Sequence, residues 1–259
     1  MTKKSNAVKT PEEIAILKEG GKILSKVLKQ VEASVRTGIS TWELDQIAYQ
    51  GITRAGGKPS FLGYGGSFSE NDNPFPASLC TSVNDEIVHG IPSKEVILHE
   101  GDIIGLDIGM EYKGLFTDTA VTIPVGKVNP KIEKLLKFTK QGLHDGIKAA
   151  KPGNRMGDIG AAIQAVAQKN GFGIIRDLVG HGVGYAVHED PYVPNYGKPG
   201  TGLILEEGMV LALEPMFTLG GYRIRFDADG WTIRTQDGSI AAHFEHTIVV
   251  TKYGSEIIT

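Results

Sequence analysis

The order of apolar and polar positions along the chain, together with capping residues, predicts four helices arranged as two pairs. Two helix starts carry a hydroxyl N-cap with a glutamate three residues later, at Thr10–Glu13 and Ser40–Glu43. The helices are predicted from Thr10 to about Val35, from Ser40 to Gly56-Gly57, from Asn129-Pro130 onward, and from about Met156 to Asn170 before Gly171. A strand-rich stretch follows each pair.

This order of elements predicts an internal duplication. A shift of 115 positions places Gly38 on Gly153, Glu43 on Asp158, Leu44 on Ile159 and Gly56 on Gly171. We therefore expect an α/β (α+β) protein that uses one helix-helix-strands unit twice, in halves of about 10–125 and 126–259. Residues 1–9 are predicted to form an N-terminal tail, residues 10–259 a single domain, and residues 65–74 a flexible loop.

Two aspartates interrupt apolar runs that predict half-buried strands. Asp107 interrupts the apolar run from Ile103 to Ile108, and Asp118 lies where apolar and polar residues alternate. If residues 103–123 form an antiparallel hairpin that turns near Tyr112-Lys113, the two aspartates fall directly opposite each other on one face, with Cβ atoms about 4.5–5.5 Å apart. This register is an assumption, because a slip of one residue would move Asp118 to the other face.

Three further metal-binding side chains lie in strand-like runs of the second half. His181 is flanked by glycines, which let backbone and ligand approach closely. Glu214 ends an apolar run and precedes a proline, which favours an extended backbone. Glu245 is predicted to share a strand face with His243 and Thr247, although His243 is assigned no role.

Taken together, these side chains predict one dinuclear metal site. Burying an ionised carboxylate costs free energy unless a cation or a hydrogen-bond donor contacts it. Several carboxylates in apolar runs therefore indicate a shared cation. Each residue alone also has an ordinary structural explanation, such as hydrogen bonds to backbone N–H groups. Four carboxylates and one imidazole suit two divalent ions, which could be Mn²⁺, Fe²⁺, Co²⁺ or Zn²⁺. The predicted ligands are Asp107, Asp118, His181, Glu214 and Glu245.

Composition narrows the functional classes. A formal net charge of −3 and a pI near 6.2 give no electrostatic footprint for nucleic acid or an anionic membrane. The start of the chain lacks the apolar core of a secretory signal, and no run reaches the roughly 18 apolar residues of a membrane span. The single cysteine, Cys80, excludes an intrachain disulfide and a zinc finger. We expect a cytoplasmic protein.

Five motifs, in both order and spacing, resemble those of the type I methionine aminopeptidases. They are Ser82–Pro92 (SVNDEIVHGIP), Asp107 with Asp118, Gly180–Gly184 (GHGVG), Leu213–Met216 (LEPM) and Phe244–Thr247 (FEHT). The resemblance runs from about Thr10 to the C-terminus. It implies the pita-bread fold, in which two similar halves surround a central antiparallel sheet and a dinuclear metal centre. It also implies removal of the initiator methionine from nascent polypeptides with a small second residue, by attack of a water that bridges the two metals.

The same resemblance implies individual roles. Glu214 would be both a metal ligand and the proton shuttle from the attacking water to the leaving amine, and His89 and His188 would donate hydrogen bonds to the substrate and the transition state. His181, Glu214, Asp118 and Glu245 would hold one ion, and Asp107, Asp118 and Glu245 the other. The methionine side chain would be bound by Phe61, Tyr64, Phe75, Cys80, Val187 and Trp231, with His89 and His188 beside them. Many relatives have a cysteine in place of Phe61 and an aromatic in place of Val187, so the shape of the pocket stays open.

Two alternative functions remain at this point. A prolidase or proline aminopeptidase has a similar dinuclear ligand set, but such enzymes usually carry a separate N-terminal domain, whereas the catalytic unit here begins near Thr10. A non-enzymatic binding module on the same fold typically lacks some ligands, and all five are present here. The expected partners are methionyl peptides and nascent chains, without nucleic acid or membrane. A ribosome contact rests on the resemblance alone, and we expect a monomer.

Overall fold

The computed structural model describes residues 7–65 and 73–259. Its helices are α1 Pro11–Ser34, α2 Thr41–Arg54, α3 Pro130–Ala149 and α4 Met156–Asn170, which confirms the four predicted helices in order and type. The predicted loop 65–74 lies almost wholly outside the described residues, as do the first six residues of the predicted tail. Within the described ranges, none of the helices is long and apolar enough to cross a membrane.

Capping boxes begin the first two helices, as the sequence predicts. The Thr10 hydroxyl accepts a hydrogen bond from the Glu13 N–H at 3.3 Å, and the Glu13 carboxylate accepts one from the Thr10 N–H at 2.7 Å. Ser40 and Glu43 repeat this arrangement at 3.2 and 2.9 Å. These bonds satisfy N–H groups that helix geometry leaves without an intrahelical partner, so the local sequence fixes where each helix begins.

All strand pairings in the described part of the chain are antiparallel. The strands are β1 Lys58–Pro59, β2 Leu79–Val83, β3 Glu86–Val88, β4 Ile103–Tyr112, β5 Leu115–Pro124, β6 Gly173–Ile174, β7 Gly180–Gly182, β8 Glu189–Val193, β9 Val210–Leu213, β10 Met216–Thr218, β11 Ile224–Phe226, β12 Ile233–Thr235, β13 Ala241–His243, β14 Glu245–Thr251 and β15 Gly254–Ile257.

One large sheet organises the molecule. Its strand order is β1-β4-β5-β14-β9-β7-β8, with β2 paired to β4 and β15 paired to β14. Two three-stranded sheets, β13-β10-β6 and β11-β12-β3, complete the set. Helices α1 and α2 share an apolar core with β4, and α3 and α4 share another with β9 and β14. A helix pair thus covers each part of the large sheet, which confirms the predicted α/β class and its antiparallel central sheet.

The β4–β5 hairpin corrects the predicted register. Lys113 and Gly114 form the two-residue turn, with φ values of 51° and 82°, as a type I′ turn requires. Asp107 therefore faces Ala120, and Asp118 faces Gly109, so the prediction that the aspartates lie directly opposite each other is wrong. The turn lies one residue later than assumed, which shifts the register by two. Because the side-chain period of a strand is also two, both aspartates stay on one face as diagonal neighbours.

Residues 7–9, at the end of the predicted tail, pack against the domain. Val8 forms an isolated bridge with Met209, and the Lys9 N–H donates to the Gly208 carbonyl at 2.9 Å. The Val210 N–H donates to the carbonyl of Ala7, a fully buried residue, at 3.0 Å. This short segment, Ala7–Lys9, therefore adds backbone hydrogen bonds at the start of β9.

Candidate metal centre and active site

Five neighbouring strands of the large sheet each bring one predicted ligand to a common place. In sheet order these are Asp107 on β4, Asp118 on β5, Glu245 at the start of β14, Glu214 directly after β9, and His181 on β7. On β4, β9 and β14 the residues of the opposite strand face, such as Leu106, Leu213 and Ile248, belong to the apolar cores shared with the helices. Strand alternation therefore turns the five polar side chains to the face away from the helices.

The ligand atoms form two overlapping groups. One atom each from Asp107, Asp118 and Glu245 lie within 4.8 Å of one another, as do atoms from His181, Glu214 and Glu245. Two cations held in these groups would share the Glu245 carboxylate. Asp118 and His181 form a third group of the same size with His188, a residue that the sequence predicts as a donor to substrate rather than a ligand.

The backbone sets the ring nitrogen that His181 presents to the site. Its Nδ1 lies 2.9 Å from the Gly182 carbonyl oxygen, which can only accept a hydrogen bond. Nδ1 must therefore carry the proton, and Nε2 keeps its lone pair. Nε2 lies 3.5 Å from Glu214 Oε1, facing the carboxylate cluster. This is the tautomer that a metal-binding histidine needs.

Burial favours the protonated form of the four carboxyls when no cation is near. It raises the pKa of Asp107 to about 7, and together with the charge of neighbouring carboxylates it raises the pKa values of Asp118, Glu214 and Glu245 well above their ordinary range. Among the described residues, neither Asp107 Oδ1 nor Glu245 Oε1 has a hydrogen-bond partner, although both atoms are buried. A cation would partner these oxygens and favour the charged carboxylates. The residues present therefore fit a divalent metal centre with oxygen and imidazole ligands.

The ligand cluster lies at a partly open cavity whose remaining walls are largely aromatic. The structure places the predicted pocket residues Phe61, Tyr64, Phe75, Cys80 and Trp231 in its lining, together with His89, His188 and Val88. Val187 does not line the cavity, but it belongs to the same buried apolar cluster as Phe61, Phe75 and Cys80. The structure thus brings the predicted pocket together, with Val187 behind its surface.

The two histidines predicted to act on substrate reach the cavity in different ways. His188 lies at its edge, where Nδ1 is 2.7 Å from the Tyr64 hydroxyl and the ring centroid is 4.4 Å from that of His181. His89 is enclosed, and burial lowers its pKa to about 4. Its φ of 59° is rare for a residue with a side chain. Such backbone strain is common where a structure aims a side chain into a functional site.

Two residues beside the ligands were missed from the sequence. His243 is buried, with Nε2 3.6 Å from Glu214 Oε2, and it ends β13 rather than continuing the strand of Glu245 as predicted. Thr247 accepts from the Asp118 N–H at 3.0 Å and donates to the Asp118 carbonyl at 2.7 Å. The sequence places Thr247 on the same strand face as Glu245, but its hydrogen-bond partner, Asp118, lies on another strand.

A curled antiparallel sheet with helix pairs on one face and carboxylates with an imidazole on the other defines a metallopeptidase of the pita-bread fold. The family model described as metallopeptidase family M24 matches residues 15–252. The prolidase of Pyrococcus horikoshii shares this fold, with a TM-score of 0.77 over 97% of this chain, but at 23% identity. This chain covers 63% of that prolidase.

Relatives of higher identity indicate to which group within family M24 the chain belongs. The methionine aminopeptidase of Clostridium acetobutylicum is 44% identical over 97% of this chain and 98% of its own length, and that of Aquifex aeolicus is 45% identical over 95% and 96%. A crystal structure of the Thermotoga maritima methionine aminopeptidase matches with a TM-score of 0.93 at 44% identity, covering 97% of this chain and 98% of that one. The chain belongs to the methionine aminopeptidases of family M24, which confirms the predicted resemblance.

Proposed function

We propose that this chain releases N-terminal methionine from new polypeptides whose second residue is small, with two divalent ions in its active site. The observation that carries the proposal is the convergence of four carboxylates and one imidazole from five adjacent strands on a cavity with aromatic walls. An apolar lining of this kind suits the soft, unbranched side chain of methionine. Relatives at 44–45% identity are methionine aminopeptidases, which supports the same substrate.

The overlapping ligand groups suggest how the five ligands would be divided between the two ions. As the family resemblance implies, His181, Glu214, Asp118 and Glu245 would hold one ion, and Asp107, Asp118 and Glu245 the other. The groups His181-Glu214-Glu245 and Asp107-Asp118-Glu245 support this division, and the place of Asp118 in the first set rests on the resemblance. Bound there, Mn²⁺, Fe²⁺, Co²⁺ or Zn²⁺ would supply Lewis-acid chemistry, polarising the peptide carbonyl and making water acidic enough to attack near neutral pH.

Glu214 would move the proton during peptide cleavage. Its carboxylate takes a proton from the attacking water and delivers it to the leaving amine, which is general acid–base catalysis. The two carboxylate oxygens lie 3.5 Å from His181 Nε2 and 3.6 Å from His243 Nε2. A position between two imidazoles limits the orientations open to the carboxylate.

His188 and His89 would donate hydrogen bonds to the substrate. Nδ1 of His188 is 2.7 Å from the Tyr64 hydroxyl, so if that hydroxyl donates to Nδ1, the single N–H of the neutral ring lies at Nε2 and is free to donate. A donor aimed at the carbonyl oxygen stabilises the negative charge that develops there. The His89 ring lies 6.2 Å from that of Trp231, beside the apolar wall that would bind the methionine side chain.

The proposed substrate also suggests a setting for the protein. Nascent chains with an initiator methionine are made in the cytoplasm, so we infer that this is the compartment in which the chain acts. Ribosome contact and a monomeric state remain predictions from the sequence.

Metal removal and restoration test the proposal. Protein stripped with a chelator is reloaded with one metal at a time, and cleavage of Met-Ala-Ser is compared with cleavage of an Xaa-Pro dipeptide. We expect the stripped protein to be inactive and the reloaded protein to prefer Met-Ala-Ser. Faster cleavage of the Xaa-Pro dipeptide would support a prolidase-like activity instead, and activity that survives complete metal removal would contradict the proposed chemistry.

A further inference from the structure

A buried lysine from the N-terminal segment lies against the loop that carries two proposed site residues. The Lys9 side chain is 0% exposed, and its ammonium pairs with the Glu189 carboxylate, which is 11% exposed. Residues 183–188 connect β7 to β8 and include Val187 and His188. We propose that Lys9 is a positioning residue that fixes this loop, and through it His188 and the pocket wall. The inference rests on the proposed function for its catalytic consequence.

Lys9 contacts the loop near its beginning and at its end. At the beginning, Gly184 has a φ of 141°, and a Cβ there would overlap Lys9 Cε, so the last glycine of the GHGVG motif leaves space for the lysine stem. Next along the loop, the Lys9 ammonium lies 4.0 Å from the centre of the Tyr185 ring, within cation–π range. At the end, the same ammonium pairs with Glu189, the residue directly after His188. One side chain thus spans the segment.

The base from which Lys9 extends is itself held in place. The Ala7–Lys9 segment is joined to β9 by the backbone hydrogen bonds given above and by the Val8–Met209 bridge. The Tyr185 hydroxyl adds a second tie, since it lies 2.9 Å from both carboxylate oxygens of Glu13 on α1. Lys9 therefore links a fixed backbone to the loop that presents His188.

Removing the ammonium should displace the loop without disturbing the ligands. In Lys9→Met the apolar stem remains, but Glu189 and Tyr185 lose their cation. A displacement of about 1 Å in a catalytic group can cost on the order of 10²-fold in rate, so we expect kcat on Met-Ala-Ser to fall by roughly 10- to 100-fold. Metal bound per chain should not change, because the described contacts of Lys9 are with Gly184, Tyr185 and Glu189 rather than with the five proposed ligands.

Lys18→Met is the matched control. Lys18 also pairs with a glutamate, Glu256, but with side chains 36% and 52% exposed, and exposed pairs contribute little. Its kcat should stay within about twofold of wild type. The double variant Lys9→Met/His188→Ala then distinguishes an effect of Lys9 on the position of His188 from an effect on the stability of the whole protein. If Lys9 acts through His188, Lys9→Met should cost little further turnover in the His188→Ala background, whereas an equal loss in both backgrounds would overturn the positioning role.

Hydrogen exchange gives a readout that needs no substrate. Peptides covering 183–188 should exchange faster in Lys9→Met than in wild type or Lys18→Met, while β4 and β5 keep their protection. Glu189→Gln, a milder change at the other end of the pair, should show the same pattern and replaces Lys9→Met if that variant does not fold. Unchanged exchange in this loop would overturn the inference whatever the activity. If hydrogen exchange of residues 183–188 is faster in Lys9→Met but the wild-type protein releases no methionine, the proposed function is rejected and the positioning role of Lys9 is retained.

Discussion

Glu214 is the residue at which metal binding and proton transfer can be separated. The amide of Glu214→Gln keeps an oxygen for a metal but cannot accept a proton from water. We expect turnover to fall by at least roughly 10²–10⁴-fold, the usual contribution of acid–base catalysis, and metal content to fall less. Elemental analysis and turnover at saturating metal measure both, with the exposed Glu207→Gln as control. Near-normal turnover would remove Glu214 from the proton path.

His89→Ala and His188→Ala should lose activity while they retain metal. Neither side chain is assigned to the metal, and donors aimed at developing charge act mainly in the transition state, so the loss should appear in kcat as well as KM. The control is His99→Ala, since the His99 side chain is 76% exposed. Steady-state kinetics and metal analysis of all three variants decide the assignment. Stoichiometric loss of metal from His188→Ala would make His188 a ligand, in the group that it forms with Asp118 and His181.

The candidate ligands could be proposed from the sequence because several carboxylates within apolar runs are unusual together, although each alone has an ordinary structural explanation. Asp107 interrupts such a run, and Glu214 ends one. Lys9 and His243 carry no comparable local signal. The partner of Lys9 lies 180 positions away, and His243 approaches Glu214 from another strand. Contacts of this kind arise only from the tertiary fold, so a single sequence does not display them.

At the scale of the element, helix starts were the most predictable feature. Each capping box consists of residues three positions apart, so all the interactions that define it are local. The β4–β5 register depended instead on which residues adopt a positive φ. The turn was predicted near Tyr112-Lys113, whereas the residues with a positive φ are Lys113 and Gly114. The strand face was still correct, because an error of two residues preserves alternation.

The same turn provides a test of backbone strain. A Cβ at Gly114 would meet nothing within 4 Å, but its φ of 82° disfavours a side chain, so Gly114→Ala should lower the free energy of unfolding by about 1 kcal/mol. Gly254 is the matched control, because it also has open space but no positive φ. Gly254→Ala should be neutral or slightly stabilising. Urea unfolding of both metal-loaded variants measures the difference, and equal effects would contradict the strain argument.

At the scale of the whole molecule, the order of strands could not be worked out from local patterns. β14 pairs with β5, where Glu245 faces Ala120, and with β9, where His246 faces Leu213. Nothing in the short strand runs specifies such distant partners. The candidate ligands, which are spread over both halves, and the resemblance of the motifs to a known family implied that both halves would meet around one centre, and the strand order shows how they do so.

The whole pocket sets the predicted substrate range. An apolar pocket discriminates by fit, at about 1–3 kcal/mol per methylene. The resemblance to methionine aminopeptidases implies little room beyond the scissile bond, which would favour a small second residue. Methionine should be released from peptides that begin Met-Gly, Met-Ala, Met-Ser or Met-Thr, and poorly from those that begin Met-Lys or Met-Leu. N-formyl peptides should resist cleavage, because they lack the charged terminus that the carboxylate-lined site would accept. Release rates across a peptide panel test this range, and comparable cleavage of Met-Lys and Met-Ala peptides would contradict it.

Metal stoichiometry, measured together with activity, tests the central claim most directly. Wild type, Asp107→Ala and Glu245→Ala are each titrated with Mn²⁺ by calorimetry, and the release of methionine from Met-Ala-Ser is followed at each loading. The account predicts two ions per wild-type chain, with loss of metal and of activity together in both variants. Glu245 is assigned to both ions and Asp107 to one of them, and neither carboxylate has a local substitute. Two tightly bound ions retained by Asp107→Ala would contradict the dinuclear assignment.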